Sequence, residues 1–205
     1  VEAMAKLKPA RTKAKSTKPQ APHAAAPRIY NLFPLLVGPI SAWTADLPRI
    51  AAMGFSWVYV NPFFQSGQSG SLYSIRDPAR IDPRFREPVG SDFEQIRSFT
   101  TAAEAHGLKV MADLVINHTA KDAILAERRW DVYRHDTDGD LLSPGAADAT
   151  APDGWRVWED LAELNYQRPE YRDFLVRHFD EHVAFLQSAG IAGFRCDAAY
   201  KVPAE

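Results

Sequence analysis

Short apolar runs alternate with amphipathic segments along the chain from Arg28 onward. The four apolar runs span residues 28–36, 55–63, 108–118 and 190–199. Between them, in residues 40–53, 91–106 and 169–189, apolar residues recur every three or four positions. That spacing is typical of a helix with one buried face. A strand followed by a helix, repeated, predicts an α/β fold with a parallel sheet and right-handed crossovers.

Two architectures satisfy this pattern, an open doubly wound sheet and a TIM barrel. No glycine-rich phosphate loop follows any predicted strand, which disfavours a nucleotide-binding doubly wound sheet. Polar residues instead gather where the predicted strands end, at Asn61, Asn117, His118, Arg195 and Asp197. In a barrel those ends form the active-site face. We therefore predict the N-terminal half of a (β/α)₈ barrel, with its first four strands.

Two connections in this pattern are long. Residues 65–90 are rich in Gly and Ser and read as a polar loop. Residues 119–166, after the third strand, are too many for an ordinary connection and predict a functional insertion.

Charge separates the chain into two regimes. Residues 1–27 hold six basic residues and one acidic residue, so the remainder holds 18 basic and 25 acidic residues. The first stretch is Ala, Lys and Pro with little apolar surface, which predicts a disordered basic arm. No apolar run reaches the roughly 18 residues of a membrane span, so we expect no membrane contact. The arm lacks aromatic residues and the rest is acidic, which disfavours nucleic acid as a partner.

The fourth apolar run carries two charged residues on one face. Arg195 and Asp197 are two positions apart and share a face, while Phe194 and Cys196 share the other. Charges on an apolar strand are costly unless they are paired, so the pair is either a structural ion pair or part of a site. An ionised and oriented carboxylate can act as a nucleophile. Cys196 is predicted to pack as a small buried hydrophobe.

The third apolar run repeats this theme. Asp113, Val115 and Asn117 share a face, and His118 comes where the strand gives way to the loop. Asp113 is predicted to be an internal strut. Spacing alone leaves open whether Asn117 and His118 belong to a site or are hydrogen-bonded loop ends.

Five segments together resemble the α-amylase family of glycoside hydrolases and transglycosylases. Asp113–His118 and Gly193–Ala198 are similar to two of its short signatures. Three further segments resemble other family motifs and occur in the right order: residues 73–85, 90–94 and 159–166. The resemblance covers residues 28–205 and implies that residues 119–166 form the family's inserted domain B.

The resemblance implies roles for four residues around the scissile bond. Asp197 stands where the family has its catalytic nucleophile, and Arg195 where it has the arginine that keeps that aspartate charged. His118 matches a histidine that hydrogen-bonds the sugar being cleaved. Tyr73 matches the aromatic platform that stacks on the same sugar.

The remaining matches concern support of the site and the leaving-group side. Asp113 matches the structural aspartate of the third strand, and Asn117 a residue that ties domain B down, in many members as a calcium ligand. Lys201 resembles a lysine on the leaving-group side. Asn61, at the end of the second strand, is a further predicted substrate contact.

Two departures weaken parts of this assignment. Ser74 follows Tyr73 where many relatives have Asp or Trp, which puts the sugar contact there in doubt. Glu163 replaces the usual aspartate of the segment that closes domain B, which weakens the case for calcium.

The expected function is a carbohydrate-active enzyme acting on α-1,4-glucosidic linkages with retention, by hydrolysis or transfer. Its expected partners are an α-glucan or maltooligosaccharide and the C-terminal half of its own barrel. No cofactor is expected to be required; a structural calcium ion is the one group that the resemblance suggests. The family's general-acid glutamate follows the fifth strand and its second aspartate the seventh, so residues 1–205 alone are expected to be inactive.

Alternative functions remain open at this point. The segments 55–63 and 193–203 look similar to the maltosyltransferase branch that uses maltose-1-phosphate. A second alternative is a non-catalytic amylase-like domain that only binds glucan. We expect a cytoplasmic location, because no signal peptide and no disulfide framework is evident.

Overall fold

The computed structural model describes residues 26–203. The predicted basic arm, residues 1–27, therefore lies outside the described residues except for its last two positions.

The described elements follow one another as a strand–helix repeat with an insertion. In chain order they are β1 (Ile29–Leu32), α1 (Pro34–Val37), α2 (Ile40–Ala52), β2 (Trp57–Val60), β3 (Phe64–Ser66), β4 (Ile75–Ile81), α3 (Asp92–Ala105), β5 (Lys109–Val115), β6 (His118–Ala120), α4 (Ile124–Arg128), β7 (Gly145–Ala147), β8 (Trp155–Val157), β9 (Leu161–Glu163), α5 (Pro169–Ser188) and β10 (Gly193–Asp197). Single 3₁₀ turns lie at Trp130–Val132 and Ala199–Lys201.

The central sheet has four parallel strands in the order β1-β2-β5-β10. The order in space is the order along the chain, without the reversal that defines a doubly wound sheet. Sequential parallel strands are what the first part of a (β/α)₈ barrel requires. The fold class predicted from the sequence is confirmed.

Helices α2 and α3 cover one face of this sheet because each presents an apolar stripe. Ile40, Trp43, Leu47 and Ile50 of α2 are buried at the predicted spacing. Helix α3 begins with a capping box, in which the Ser91 hydroxyl accepts from the backbone N–H of Glu94 and the Glu94 carboxylate accepts from the backbone N–H of Ser91. The two helices and the sheet share one hydrophobic core.

The loop predicted over residues 65–90 is in part a β-hairpin. Strands β3 and β4 pair antiparallel, with a shifted register. Buried Asp82 holds the hairpin, since one of its carboxylate oxygens accepts from the backbone N–H of Ser66 at 3.0 Å and from the Ser66 hydroxyl at 2.8 Å. Strands held by hydrogen bonds of this kind need no alternation of apolar and polar residues. The sequence pattern therefore missed the hairpin.

The insertion after β5 contains its own small core. Strand β6 pairs antiparallel with β9, which brings the two ends of the insertion together, and β7 pairs with β8. The core beneath them also includes residues of α5; its buried members are Ala120, Ala123, Ala126, Val132, Tyr133, Leu141, Ala162, Leu164, Tyr166 and Leu175. The N-terminal half of α5 thus packs on the insertion, and its C-terminal end packs on the main core.

Strand β10 differs in one respect from the sequence prediction. Phe194 packs against the main core as expected, but Cys196 is exposed rather than buried. Among the described residues β10 pairs with β5 alone. The cover that the prediction assumed therefore reaches Phe194 but not Cys196.

No helix among residues 26–203 combines the length and the apolar character that a membrane span demands.

Candidate active site

A cavity of about 480 Å³ opens at the carboxyl ends of β5 and β10, beneath the insertion. It brings together most of the residues that the sequence singled out. Its lining comprises Ser71, Tyr73, Asn117, His118, Pro144, Trp158, Asp160, Leu161, Arg195, Asp197, Ala198, Tyr200 and Lys201. The volume lies within the range of about 300–1,000 Å³ that ligand sites occupy.

Asp113 forms the floor below this cavity. Its side chain is 0% exposed and accepts hydrogen bonds from the hydroxyls of Tyr59 and Tyr73, the latter at 3.2 Å. Arg195 Nη1 approaches the two carboxylate oxygens at 3.2 and 3.1 Å. Burial raises the pKa of Asp113, while the hydrogen bond from Tyr59 and the charge of Arg195 oppose that rise. The predicted strut is thus a buried carboxylate with three donors.

Arg195 bridges Asp113 and Asp197. Its Nη1 donates to Asp197 Oδ1 at 2.6 Å, so the ion pair proposed from the period of two is present. Burial lowers the pKa of Arg195, but the two carboxylates outweigh it and hold that pKa above its usual value. A guanidinium that stays charged fixes the orientation of Asp197 while leaving its second oxygen free of this bond.

His118 is held at the edge of the cavity by two contacts. Its Nδ1 lies 2.6 Å from Asn117 Oδ1, and its Nε2 lies 3.1 Å from the backbone carbonyl oxygen of Tyr73. Burial lowers the pKa of His118, an effect that the negative charge of Asp197 partly offsets. An imidazole held in this way beside Asp197 is fixed in orientation and neutral at pH 7.

The groups around Asn117 can be compared with the ligands that calcium needs. Calcium needs six to eight oxygen ligands. Within residues 26–203 no group of three or more His, Cys, Asp or Glu residues could hold a metal, and Glu163 is paired with Arg134 at 3.0 Å. Asn117 Nδ2 is buried without a hydrogen-bond partner among these residues. Among the described residues these observations show no carboxylate cluster at Asn117, and calcium there stays a prediction of the resemblance alone.

Asn61 lies below the cavity rather than in its lining. Its Oδ1 accepts from Asn31 at 2.7 Å, and its Nδ2 donates to the hydroxyl of Tyr73 at 3.0 Å. These bonds occupy its polar atoms, so the geometry favours support of Tyr73 over the predicted contact with substrate. Ser74 is buried as well, and its hydroxyl donates to the Asp160 carbonyl oxygen at 3.3 Å.

Lys201 lines the cavity and also binds the insertion. Its Nζ donates to the backbone carbonyl oxygen of Gly145, at the start of β7, at 2.6 Å. The segment after β10 is thereby joined to the insertion. One N–H of the ammonium serves this contact, and the others remain for a ligand.

Four residues of the site escaped the sequence reasoning. Tyr59 lies on the same strand face as Asn61, two positions away, and that period of two could have found it. Asp160, Trp158 and Tyr200 line the cavity from outside the periodic helices and strands. Asp160 and Tyr200 lie in segments 159–166 and 193–203, whose resemblance to the family was the signal that could have found them.

Comparison with known proteins points to one family. The family model that matches residues 26–136 is described as the glucanotransferase domain of glycogen debranching enzyme. A curated relative, the α-1,4-glucan:maltose-1-phosphate maltosyltransferase of Burkholderia pseudomallei, is 28% identical over 87% of this chain and 15% of its own length. The α-amylase MalA of Haloarcula japonica is 29% identical over 80% of the chain and 23% of its own length.

Solved structures agree with these sequence matches. An α-amylase from Lactobacillus plantarum superposes with a TM-score of 0.68 and 28% identity, covering 86% of this chain and 39% of the other. The chain thus spans well under half the length of these relatives, and it matches the N-terminal part of their barrel. From the matched family model, the order of its strands and these relatives, it follows that the chain belongs to the α-amylase family of glycoside hydrolases and transferases.

Proposed function

We propose that the protein expressed from the complete gene acts on α-1,4-glucosidic linkages by a retaining double displacement, with Asp197 as the nucleophile. The observation that carries this proposal is the contact between Asp197 and Arg195 inside a ligand-sized cavity. Arg195 is itself fixed by buried Asp113. An ionised carboxylate so oriented at a barrel's active-site face is suited to attack an anomeric carbon.

The proposed reaction has two steps. A carboxylate oxygen of Asp197 forms a bond to the anomeric carbon, while the glycosidic C–O bond breaks and the leaving oxygen takes a proton from a carboxylic acid. Water or a sugar hydroxyl then gives its proton back to that acid's conjugate base, attacks the same carbon and displaces Asp197, which restores the original configuration. Hydrolysis and transfer differ only in the group that attacks in the second step, which is water in hydrolysis and a sugar hydroxyl in transfer.

The surrounding residues hold the sugar. Tyr73 is proposed to stack on the ring next to Asp197, since its hydroxyl is anchored on Asp113 and its side chain lines the cavity. His118 is proposed to donate from Nε2 to a sugar hydroxyl in place of its contact with the Tyr73 carbonyl oxygen. Lys201 is proposed to face the leaving-group side with the N–H groups that Gly145 does not use.

The acid that protonates the leaving oxygen is not assigned within residues 26–203. Besides Asp197, the carboxyl group lining the cavity belongs to Asp160, whose Oδ2 accepts a hydrogen bond from the Ser69 hydroxyl at 2.6 Å. The resemblance places the acid after a fifth barrel strand, whereas the described sheet has four strands. We therefore propose that the 205-residue chain alone does not turn over an α-glucan.

A second candidate is transfer of a maltosyl unit from maltose-1-phosphate. The observation in its favour is the maltosyltransferase of Burkholderia pseudomallei, which is similar to this chain over 87% of its length. Hydrolases and transferases share the residues described above, so the two candidates differ in the leaving group of the donor, a phosphate in maltose-1-phosphate and a sugar hydroxyl in an α-1,4-glucan, and not in Asp197.

The test is product analysis with the protein expressed from the complete gene. Maltooligosaccharides, and maltose-1-phosphate with a maltooligosaccharide acceptor, are supplied separately, and products are followed by chromatography and by the anomeric signals in NMR. Asp197→Asn is expected to lower turnover at least about a thousandfold, because the amide is not a nucleophile. Asp46→Asn, which alters an exposed ion pair with Arg49, is the matched control and is expected to keep full turnover.

Three results would contradict parts of this proposal. Full turnover by Asp197→Asn would exclude the nucleophile. Glucan binding without turnover by the unsubstituted protein would make it the non-catalytic binding domain. Turnover by the 205-residue chain alone would show that the acid lies within it.

A further inference from the structure

The wall of the cavity has two parts that are held by different contacts. One part is the polar network of Tyr73, His118, Arg195 and Asp197, which rests on Asp113. The other part comes from the insertion and from the turn after β10. It consists of Pro144, Trp158, Tyr200 and Lys201.

The second part exposes aromatic surface to the cavity. Trp158 is 38% exposed and Tyr200 is 76% exposed, although both are large rings beside a ligand-sized cavity. Exposed aromatic rings that line a cavity are a common sign of a binding surface. Covering such a ring is favourable by about 25 cal/mol per Å² of apolar area.

The backbone around Trp158 is fixed before any ligand binds. Its N–H donates to the Pro144 carbonyl oxygen at 3.0 Å, and its own carbonyl oxygen accepts from the N–H of Leu161 at 3.1 Å. The neighbouring Gly145 carbonyl accepts from Lys201 Nζ at 2.6 Å. Because Lys201 lies four positions after Asp197, this bond links the aromatic part of the wall to the strand that carries the nucleophile.

We propose that Trp158 is the stacking platform for a second sugar unit, adjacent to the unit that contacts Asp197. The ligand class is an α-linked glucan of at least two hexopyranose units, and the inference rests on the function proposed above. The face of a pyranose ring presents C–H groups, whose partial positive charge suits the negative face of an indole. The carboxylate of Asp160, close by in the same wall, would accept from the hydroxyls at the ring's rim.

The experiment measures how affinity depends on ligand length. The protein expressed from the complete gene, carrying Asp197→Asn to stop turnover, is titrated with glucose, maltose and maltotriose by calorimetry or NMR. Trp158→Ala is expected to raise the Kd of maltose and maltotriose about tenfold, the effect of about 1.4 kcal/mol, and to change that of glucose less than twofold. Trp158→Phe keeps an aromatic face and is expected to stay within threefold of the parent.

The matched control is Trp130→Ala. Trp130 belongs to the same insertion and is 49% exposed, but it packs beside His135 and does not line the cavity. It is expected to leave all three Kd values unchanged, which separates a local effect from damage to the insertion. Circular dichroism of each variant checks that the fold is kept.

The outcomes distinguish the two proposals. Binding of maltose that is unchanged in Trp158→Ala overturns the second-unit subsite while leaving the proposed function in place. An equal loss for glucose and maltose also overturns it, because Trp158 would then contact the first unit. Absence of any glucan binding and turnover by the unsubstituted protein overturns the proposed function and the subsite together.

Discussion

Asp113 is the residue at which the contacts of the candidate site converge. Tyr59, Tyr73 and Arg195 all donate to its carboxylate, and Arg195 continues to Asp197. A buried carboxylate with three donors holds those side chains in one arrangement, since each donor would lose a charge-assisted bond by moving. The proposed nucleophile is thus oriented from below, by a residue that does not itself line the cavity.

The sequence predicted this network only in part. A period of two correctly placed Arg195 beside Asp197, and the third strand supplied Asp113 on a shared face. The partner strand was harder, because Tyr59 looked like one more apolar residue of a buried run. The contact of the Tyr59 hydroxyl with Asp113 depends on the register between β2 and β5, in which Tyr59 lies opposite Met111. A local sequence pattern does not determine which strands pair or in what register.

His182 gives a prediction about pH. The imidazole packs edge-on against Phe64, with ring centroids 5.0 Å apart, and burial lowers its pKa to about 4. In the unfolded chain the pKa is the ordinary 6.5, so between pH 6.5 and 4 the unfolded state binds a proton that the folded state does not. The free energy of unfolding should therefore fall as the pH falls through this range, by up to about 3 kcal/mol from this residue.

Urea unfolding at pH 7, 6, 5 and 4 measures the effect. His182→Phe removes the titrating group and keeps an aromatic ring against Phe64, so its stability should decline less between pH 7 and pH 4. His118 and His178, whose pKa values burial also lowers, titrate in both proteins. The contribution of His118 cancels in the comparison, whereas that of His178 cancels only in part, because its charge also lowers the pKa of His182. Parallel stability curves for the two proteins would exclude His182 as a source of the pH dependence.

At the scale of elements, the contact with α3 determines the backbone conformation of the connection from α5 to β10. Gly190 follows α5 with φ at +94°, and a Cβ there would lie 2.5 Å from the Thr100 hydroxyl oxygen. That hydroxyl donates to the Ala189 carbonyl oxygen at 2.6 Å, so it cannot swing away without losing a buried bond. Glycine at this position lets α5 end directly on α3 before the chain enters the sheet.

Gly190→Ala and Gly107→Ala make a matched pair. Gly107 follows α3 with φ at +73° and has open space where a Cβ would be. Gly107→Ala should cost about 1 kcal/mol, the strain of a positive φ for alanine. Gly190→Ala should cost about 1–3 kcal/mol more, because overlap with Thr100 adds to the same strain. Equal losses of unfolding free energy in the two variants, measured by urea unfolding, would show that the Thr100 side chain moves aside at no cost.

Elements with an apolar period were predictable, and elements held by polar contacts were not. Helix α2, strand β2 and helix α3 follow from their apolar patterns. The β3–β4 hairpin depends on Asp82, whose pKa is held below its usual range by hydrogen bonds from Arg84 and Ser66 that outweigh its burial. The contact with Ser66 spans 16 positions and the one with Arg84 spans two, and neither leaves an apolar period to read.

For the whole molecule, the sheet as described is open at both sides. Strands β1 and β10 each have one neighbour among residues 26–203, and β10 presents Cys196 to solvent. The sequence pattern could place Cys196 on the face opposite to Arg195 and Asp197. It could not say whether anything covers that face, because cover depends on elements elsewhere in the molecule.

Cys196 therefore reports on the state of the β10 edge in the 205-residue chain. It is the single cysteine, so a thiol reagent such as DTNB gives one signal. Because the side chain is exposed, labelling in native buffer should proceed within about tenfold of its rate in urea. Cys196→Ser should abolish the signal. If labelling required unfolding, the β10 edge would be covered in solution. If labelling slowed as the protein concentration rose, a second copy of the chain would be what covers it.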